Sequence, residues 1–399
     1  MLKRLQEILC RLLTTHVAWP VLLAVSLLCT VSILALHLAS VSGGGGAVNA
    51  AGNVGGVDYA ALQLRHIALG ILAIMLILLI HYEWFGRLAY IFMGIVIALL
   101  ALVLYTPASH GSSRWFTIGS LQLQPSEMAK IAFVLTVAWF LRYRRNIRQT
   151  SGLICPFFIM VVPCALVLKE PDLGTALLFP LVLYAMLIAA GARIRHLLLV
   201  GLLALVMLPG AYFLLHDYQK TRIRSLYVQV FQHDDPVAMK RHRQSFGYQA
   251  YASMTAIASG GTTGHGAQGA DLIRRGLLPE AHTDCVYAVV GSQWGFIGSV
   301  GVLLLYLAFL GAGMEIASST KDPFGRLTAV GIVTLVTFQG MINIAMTIGM
   351  GPVVGIALPF ISYGGSSMVT NMVAAGILLN ISLRRRTKTT GLSMHHAAA

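Results

Sequence analysis

The chain has 399 residues, of which 57% are hydrophobic and only 11% are charged. Because roughly a quarter of the residues in an ordinary soluble domain are charged, this composition excludes a soluble globular protein. A spanning helix needs about 20 apolar residues, so the chain has room for about ten spans, which also excludes a soluble domain with one anchor. The 28 Lys and Arg residues against 14 Asp and Glu residues give a formal net charge of +14.

Runs of apolar residues bounded by charges or by Gly and Pro predict ten transmembrane helices. In chain order these runs are Val17 to Leu38, Ile67 to Ile80, Leu88 to Tyr105, Ser126 to Leu141, Leu153 to Leu168, Gly174 to Ala190, His196 to Leu215, Cys285 to Gly313, Leu327 to Met350 and Ser367 to Leu383. No convincing small-residue cleavage site follows the first run, so we interpret it as a span and not as a signal peptide. We therefore expect an all-α polytopic membrane protein in which residues 1–399 form one integral membrane domain.

The positions of the charges predict the topology. If the N-terminus lies inside, more than half of the basic residues fall in short inside loops and tails, such as 142–148 and 384–388. This is the pattern of cytoplasmic loops, so we expect both termini inside and interpret the net charge as a topology signal. The five cysteines show no Cys-x-x-Cys pair, and we predict neither a disulfide framework nor a zinc site.

One outside loop, residues 216–284 between the seventh and eighth helices, is too long for the charge rule to apply. This large extracytoplasmic loop is rich in both carboxylates and cations. Two further outside segments, 107–125 and 351–366, are irregular without being fully hydrophilic. Irregular backbone at membrane depth is tolerated only where it is buried in protein or lines a wet cavity, so we expect these segments to cover a cavity that opens outward.

The fourth predicted helix opens with residues 124–130, which contain a Pro at the first helical position and a Glu in the first turn. Both features are typical of a helix start. Glu127 and Lys130 are three residues apart and share a face, so they can pair. A plain ion pair at a helix end is the alternative, but ionisable residues within a span usually face a functional interior.

A charged turn, residues 169–174, joins the fifth and sixth helices on the same outer side. Taken alone, it is most simply interpreted as a solvated tight turn. Its position on the same side of the membrane as Glu127 and Lys130 makes Asp172 a candidate site residue.

The large loop ends with two carboxylates, Glu280 and Asp284, immediately before the eighth helix. They are four residues apart, so a helical conformation would place both on one face. Desolvation at the boundary between a wet cavity and an apolar helix raises the pKa of a carboxyl group, which suits a general base. The alternative is that Asp284 simply caps the eighth helix.

Five basic residues of the large loop are candidates for binding a pyrophosphate, because guanidinium groups fit phosphate oxygens in a bidentate way. They are Lys220, Arg222, Arg224, Arg274 and Arg275. A solvated surface is the alternative for each of them. The outer location and the few interleaved aromatics argue against nucleic acid as a partner. Ser362, in the glycine-containing segment 359–367, offers a hydroxyl for hydrogen bonding, and helix packing is its alternative role.

Six segments, taken together and in this order, resemble the SEDS (shape, elongation, division and sporulation) family of bacterial membrane glycosyltransferases, of the RodA/FtsW type. They are Ser113 to Trp115, Gln124 to Lys130, Glu170 to Thr175, Asp217 to Arg222, Leu278 to Asp284 and Pro359 to Ser367. The resemblance implies a ten-helix fold that polymerises lipid II, the undecaprenyl-pyrophosphate-linked disaccharide peptide, into peptidoglycan strands. The reaction would take place at the outer face of the bacterial cytoplasmic (inner) membrane.

The resemblance also implies roles for individual residues, with Asp284 as the catalytic residue. The residues that would line or support the site are Glu127, Lys130, Asp172, Gln219 and Arg222, together with Arg114 of the first matching segment. The implied partner is a class B penicillin-binding protein that acts as transpeptidase. No cofactor is predicted, although a divalent cation, Mg²⁺ or Mn²⁺, is compatible with a pyrophosphate leaving group.

Two segments, 217–219 and 352–355, resemble the elongation (RodA) branch more than the division (FtsW) branch. They favour a role in cell elongation and shape over septal synthesis. Two departures from the family pattern, Cys285 and Ser292-Gln293, concern the geometry of the substrate more than the reaction.

A transporter or lipid II flippase is the main alternative, because ten spans with intramembrane charges are compatible with transport. However, the polar segments gather on one side of the membrane, whereas alternating access requires a pathway to both sides, and no inverted repeat is evident. Another polyprenyl-phosphate sugar ligase is a third hypothesis, and the match at residues 278–284 counts against it.

Overall fold

The computed structural model describes residues 16–42, 58–105, 114–118, 121–144, 146–214, 217–231, 247–270 and 278–384. The α-helices are α1 (Trp19–Ser42), α2 (Tyr59–Leu79), α3 (Tyr82–Arg87), α4 (Ala89–Val103), α5 (Pro125–Leu141), α6 (Thr150–Lys169), α7 (Leu173–Ala189), α8 (Ile194–Leu214), α9 (Asp217–Phe231), α10 (Tyr248–Ser259), α11 (Val286–Ser319), α12 (Pro323–Thr347) and α13 (Gly365–Arg384). Two short strands, β1 (Phe116–Ile118) and β2 (Leu121–Leu123), pair antiparallel before α5.

Each of the ten predicted apolar runs coincides with a helix, namely α1, α2, α4 to α8 and α11 to α13. Six of them, α1, α2, α6, α11, α12 and α13, are long and apolar enough to cross a membrane. The helices α4 and α7 are apolar but shorter, as is the part of α8 from Ile194 to Leu203. The protein is therefore a mostly helical, multi-pass membrane protein, as its composition predicts.

Several helices begin at residues that satisfy the first-turn backbone N–H groups. Asp58, Asp172 and Asp322 each accept a hydrogen bond from such an N–H group, at 2.9 to 3.1 Å, at the start of α2, α7 and α12. A carboxylate at this position also complements the positive end of the helix dipole. The start of α5 is different, because Pro125 occupies its first turn, as the sequence predicts.

Helix α12 lies at the centre of the bundle, where it packs against α5, α7, α11 and α13. Its buried side chains are mostly apolar, but Gln339 and Asn343 are fully buried as well. At the other side of the bundle, Asn380 of α13 donates to the carbonyl groups of Ile77 and Ile80 at the end of α2. Since a hydrocarbon environment offers no water to backbone carbonyls, such side chains must satisfy them.

Helix α11 is 34 residues long and is kinked at Gly295, which has φ 63° and ψ −154°. Because of the kink, two backbone N–H groups donate to carbonyl groups outside the helix. Phe296 N donates to Gly261 O at 2.9 Å, and Ile297 N donates to Thr262 O at 3.1 Å. The turn that follows α10 therefore fixes the kink, and the helix segment after it is by itself long enough to cross a hydrocarbon core of about 30 Å.

The stretch before α11 is not a regular helix, so the helical conformation that would place Glu280 and Asp284 on one face is not formed. Residues 278–285 form consecutive turns, and Glu280 has a positive φ of 49°. The helix begins at Val286 with Cys285 as its N-cap residue, so Asp284 does not cap it. The Asp284 carboxylate therefore lies before the helix and is not part of its first turn.

We predict that Gly295→Ala destabilises the protein by about 1–3 kcal/mol, because only glycine adopts this backbone conformation without strain. A methyl group there would also lie 2.5 Å from Gly264 N and 2.7 Å from Thr262 O. The thermal unfolding midpoint in detergent measures the effect. Gly301→Ala in the same helix is the control, since a methyl group there has no neighbour within 4 Å. Equal midpoints for the two variants would contradict this prediction.

Candidate active site

A buried ion pair lies at the start of α5. Lys130 Nζ donates to Glu127 Oε1 at 2.9 Å and to Gln339 Oε1 of α12 at 2.9 Å. Lys130 is 2% exposed and Glu127 is 6% exposed. The predicted pairing of Glu127 with Lys130 is therefore present, and the pair is buried in the bundle and does not lie on a solvated helix end.

Two amide side chains of α12, Gln339 and Asn343, connect this ion pair to the segment 351–364. Gln339 Nε2 donates to Ala357 O at 2.9 Å, and Asn343 Nδ2 donates to Ile356 O at 2.6 Å. The same Asn343 nitrogen also donates to Asp284 O at 2.9 Å. The sequence reasoning missed both residues, although two amides four positions apart in an apolar run are a detectable signal.

The carboxylate of Asp284 and the guanidinium group of Arg222 meet at Gly355. A Cβ atom at Gly355 would lie 3.1 Å from Asp284 Oδ2 and 3.7 Å from each terminal nitrogen of Arg222. Gly355 has a positive φ of 71°, so both its backbone conformation and its surroundings disfavour a side chain. The fold thus brings together two predicted site residues that are far apart in the chain.

Asp284 is only partly exposed, and the burial of its carboxylate raises its pKa from the usual 3.8 to about 6. The nearby carboxylate of Glu280 raises the pKa further, and the guanidinium group of Arg222 lowers it. More weakly, Asp172 raises this pKa and Arg114 lowers it. These electrostatic effects place four predicted site residues in the same neighbourhood as the Asp284 carboxylate.

The turn between α6 and α7 is buried, contrary to the interpretation as a solvated tight turn. Asp172 Oδ2 accepts a hydrogen bond from Ser126 Oγ at 3.3 Å, which ties the turn to the start of α5. Arg114 donates to the carbonyl oxygens of Glu170 and Pro171, each at 2.6 Å. Neither carboxylate oxygen of the buried Glu170 has a hydrogen-bond partner within the described residues.

Gln219 and Ser362 are buried, and their side chains contact backbone groups. Gln219 Nε2 of α9 lies 3.5 Å from Leu168 O, near the end of α6. Ser362 Oγ accepts a hydrogen bond from Leu358 N at 2.7 Å. The Ser362 hydroxyl therefore stabilises the turn in its own loop, and a role for it in substrate binding stays a prediction.

The basic candidates of the large loop are described only in part. Lys220 and Arg222 are partly buried on α9, and Arg224 is exposed. Arg274 and Arg275 lie outside the described residues. Arg222 is the member of this set that the structure places beside Asp284.

The turn that carries Asp284 is held by aromatic contacts. The His282 ring stacks on the Tyr59 ring of α2 with 4.4 Å between centroids. Tyr363 N donates to His282 O at 2.9 Å, and the Tyr363 ring lies edge-on to Tyr59. These contacts join residues 278–285 to α2 and to the segment 351–364. Within the described residues, no group of three or more His, Cys, Asp or Glu side chains is placed to hold a metal ion.

The chain resembles known proteins in sequence along most of its length. The profile of the FtsW/RodA/SpoVE cell cycle proteins matches residues 19–387. The chain belongs to this family. A protein of Geobacter metallireducens named probable peptidoglycan glycosyltransferase FtsW is 37% identical over 327 residues, which cover 80% of this chain and 83% of that protein. The peptidoglycan glycosyltransferase MrdB of Escherichia coli K12 is 32% identical over 328 residues, which cover 81% and 85%.

Solved structures with the same fold extend this similarity. The rod shape determining protein RodA of Thermus thermophilus aligns with a TM-score of 0.66 at 26% identity, covering 92% of this chain and 97% of that one. A chain from a peptidoglycan synthase complex that coordinates polymerization and crosslinking aligns with a TM-score of 0.72 at 28% identity, covering 91% and 97%. Relatives named FtsW and MrdB both match, so the preference for the elongation branch stays a prediction.

We predict that Glu170→Gln weakens the pH dependence of stability. Burial, with Asp172 nearby, raises the pKa of Glu170 from the usual 4.5 to about 8. Between these values the folded state binds a proton that the unfolded state has lost, so the free energy of unfolding falls as the pH rises. The variant removes this proton uptake and should gain stability over the native protein towards pH 8.

Thermal unfolding midpoints in detergent, measured from about pH 5 to pH 8, test this linkage. Glu315→Gln is the matched control, because Glu315 is exposed, and it should leave the native pH dependence in place. The same slope of midpoint against pH for Glu170→Gln and the native protein would show that Glu170 ionises normally in the fold.

Proposed function

We propose that this protein is a peptidoglycan glycosyltransferase that polymerises lipid II into glycan strands, with Asp284 as its general base. Family membership and relatives named peptidoglycan glycosyltransferases support the activity. The observation that carries the assignment is the meeting of the Asp284 carboxylate and the Arg222 guanidinium at Gly355. A base and a phosphate-binding cation side by side are what glycosyl transfer from a pyrophosphate donor requires.

In the proposed reaction, Asp284 takes the proton from the 4-hydroxyl of the acceptor sugar. The hydroxyl oxygen forms a bond to the anomeric carbon of the donor, and the bond from that carbon to the pyrophosphate oxygen breaks. A raised pKa of about 6 leaves Asp284 ionised at neutral pH yet more basic than an ordinary aspartate. The acceptor therefore loses its proton as the new glycosidic bond forms.

The leaving undecaprenyl pyrophosphate carries the negative charge that develops in this step. Arg222 lies beside Asp284 and is placed to meet that charge. Lys130 and Arg114 are held in fixed positions, by Glu127 and Gln339 and by two backbone carbonyl groups. Cations that are already oriented stabilise a developing charge without reorganisation during the reaction.

The proposal extends to the membrane and to a partner. Ten helices cross the inner membrane with both termini inside, and the loop 216–284 lies outside, where lipid II is polymerised. The scarcity of basic residues in the short outer segments, the six span-length apolar helices and the three shorter ones support this topology. The resemblance in fold to a chain of a peptidoglycan synthase complex supports a class B penicillin-binding protein as partner.

We predict that the purified protein, supplied with its partner and lipid II, forms glycan polymer and that Asp284→Asn lowers the rate by about 10²–10⁴-fold. The rate of the native protein should rise with pH through about 6, because Asp284 must lose its proton to act as a base. Gel electrophoresis of labelled lipid II products measures both effects.

Asp58→Asn is the matched control, because asparagine caps a helix as well as aspartate does and Asp58 caps α2. It should polymerise at the native rate. Full-rate polymerisation by Asp284→Asn would overturn the assignment of the base. Transfer of labelled lipid II across a vesicle without any polymer would favour a flippase instead.

A further inference from the structure

We propose that Gln339 and Asn343 are positioning residues that set the separation between Asp284 and Lys130, by fastening both to the segment Ile356–Ala357. This inference rests on the proposed function, because it assigns a purpose to the distance between the general base and a cation of the site. Neither amide is required to touch the substrate. Both act through the residues that they hold.

The contacts form a continuous chain from the cation to the base. Lys130 Nζ donates to Gln339 Oε1 at 2.9 Å, and Gln339 Nε2 donates to Ala357 O at 2.9 Å. The adjacent carbonyl, Ile356 O, accepts from Asn343 Nδ2 at 2.6 Å, and the same amide donates to Asp284 O at 2.9 Å. Each link lies within hydrogen-bonding distance, and the bond from Asn343 to Ile356 O is the shortest of the four.

The two amides are well placed to act as a rigid spacer. They are four residues apart, so both project from one face of α12, and both are fully buried at 0% exposure. Helix α12 packs against α5, which carries Lys130, and against α11, which begins two residues after Asp284. A shift of Asn343 would move Ile356 and its neighbour Gly355 relative to the Asp284 carboxylate.

The separation matters because the base and the cation act on different atoms of the reacting pair. The base must reach the acceptor hydroxyl while the cation stays on the leaving phosphate. A misplacement of about 1 Å can cost about 100-fold in rate when reacting groups are held in one geometry. Hydrogen bonds to a central helix restrict such displacements more than apolar packing alone.

A purely structural role is the competing explanation, since buried carbonyl groups need donors in any case. The chain contains a matched control for this role. Asn380 is also 0% exposed, and its Nδ2 donates to Ile77 O and Ile80 O, each at 2.6 Å. In both Asn343 and Asn380, the Oδ1 atom has no hydrogen-bond partner within the described residues.

The experiment compares Asn343→Leu with Asn380→Leu in the full chain, supplied with the partner and lipid II. Both variants should lower the thermal unfolding midpoint to a similar extent. Asn343→Leu should lower kcat by about 100-fold with KM within about threefold of the native value, whereas Asn380→Leu should keep the native kcat.

The pH–rate profile separates positioning from folding. The groups facing Asp284 are Glu280, Arg222, Asp172 and Arg114, and Asn343→Leu changes none of them. When Asn343 no longer holds the Asp284 backbone, the Asp284 carboxylate becomes better hydrated and its pKa falls. The acidic limb of the pH–rate profile should therefore move to lower pH. Gln339→Met should lower kcat without moving this limb, because it releases Lys130 and not the base.

Equal losses of kcat in Asn343→Leu and Asn380→Leu would overturn the inference, as would an unmoved acidic limb in Asn343→Leu. Asn343→Ala is a second variant that removes both donors without adding a charge if leucine is not accommodated. Asp284→Asn, run in parallel, separates the two proposals. Full activity there defeats the proposed function, whereas an inactive Asp284→Asn beside a fully active Asn343→Leu defeats only this inference.

Discussion

The burial of Lys130 inside an apolar bundle is the constraint on which the rest of the site depends. A buried ammonium group loses its hydration and is tolerated only with close charged and polar partners. Glu127 supplies the opposite charge from the same helix, and Gln339 supplies an acceptor from the central helix α12. Helices α5 and α12 must therefore pack in one register, and that register determines where the amides of α12 point.

The register of α5 and α12 also fixes the positions of two irregular segments, 351–364 and 278–285. The amide groups of Gln339 and Asn343 satisfy carbonyl groups in the segment 351–364, and Tyr306 OH donates to Pro359 O at 2.5 Å in the same segment. The turn 278–285 is then held by Asn343, by Tyr363 N and by the ring of Tyr59. The backbone beside Asp284 is thus rigid although it belongs to no helix.

The helices, the ion pair and site residues such as Asp284 and Arg222 could be predicted from the sequence, but most of the contacts that bring the site together could not. Apolar runs and the i, i+3 spacing of Glu127 and Lys130 are local signals, and local structure follows them. The contact between Asn343 and Asp284 O joins residues that are 59 apart in the chain, which no local spacing reveals. The burial of Glu170 was likewise missed, because a run of charged residues beside a proline resembles a solvated turn.

The most direct test of this account asks whether the charge on Lys130 serves the chemistry or only the folding. Lys130→Met should destabilise the protein by about 3–5 kcal/mol, because it leaves Glu127 buried and unpaired. Adding Glu127→Gln should restore the thermal unfolding midpoint, while lipid II polymerisation stays about 100-fold or more below the native rate. Polymerisation that recovers together with stability in the double variant would contradict the account.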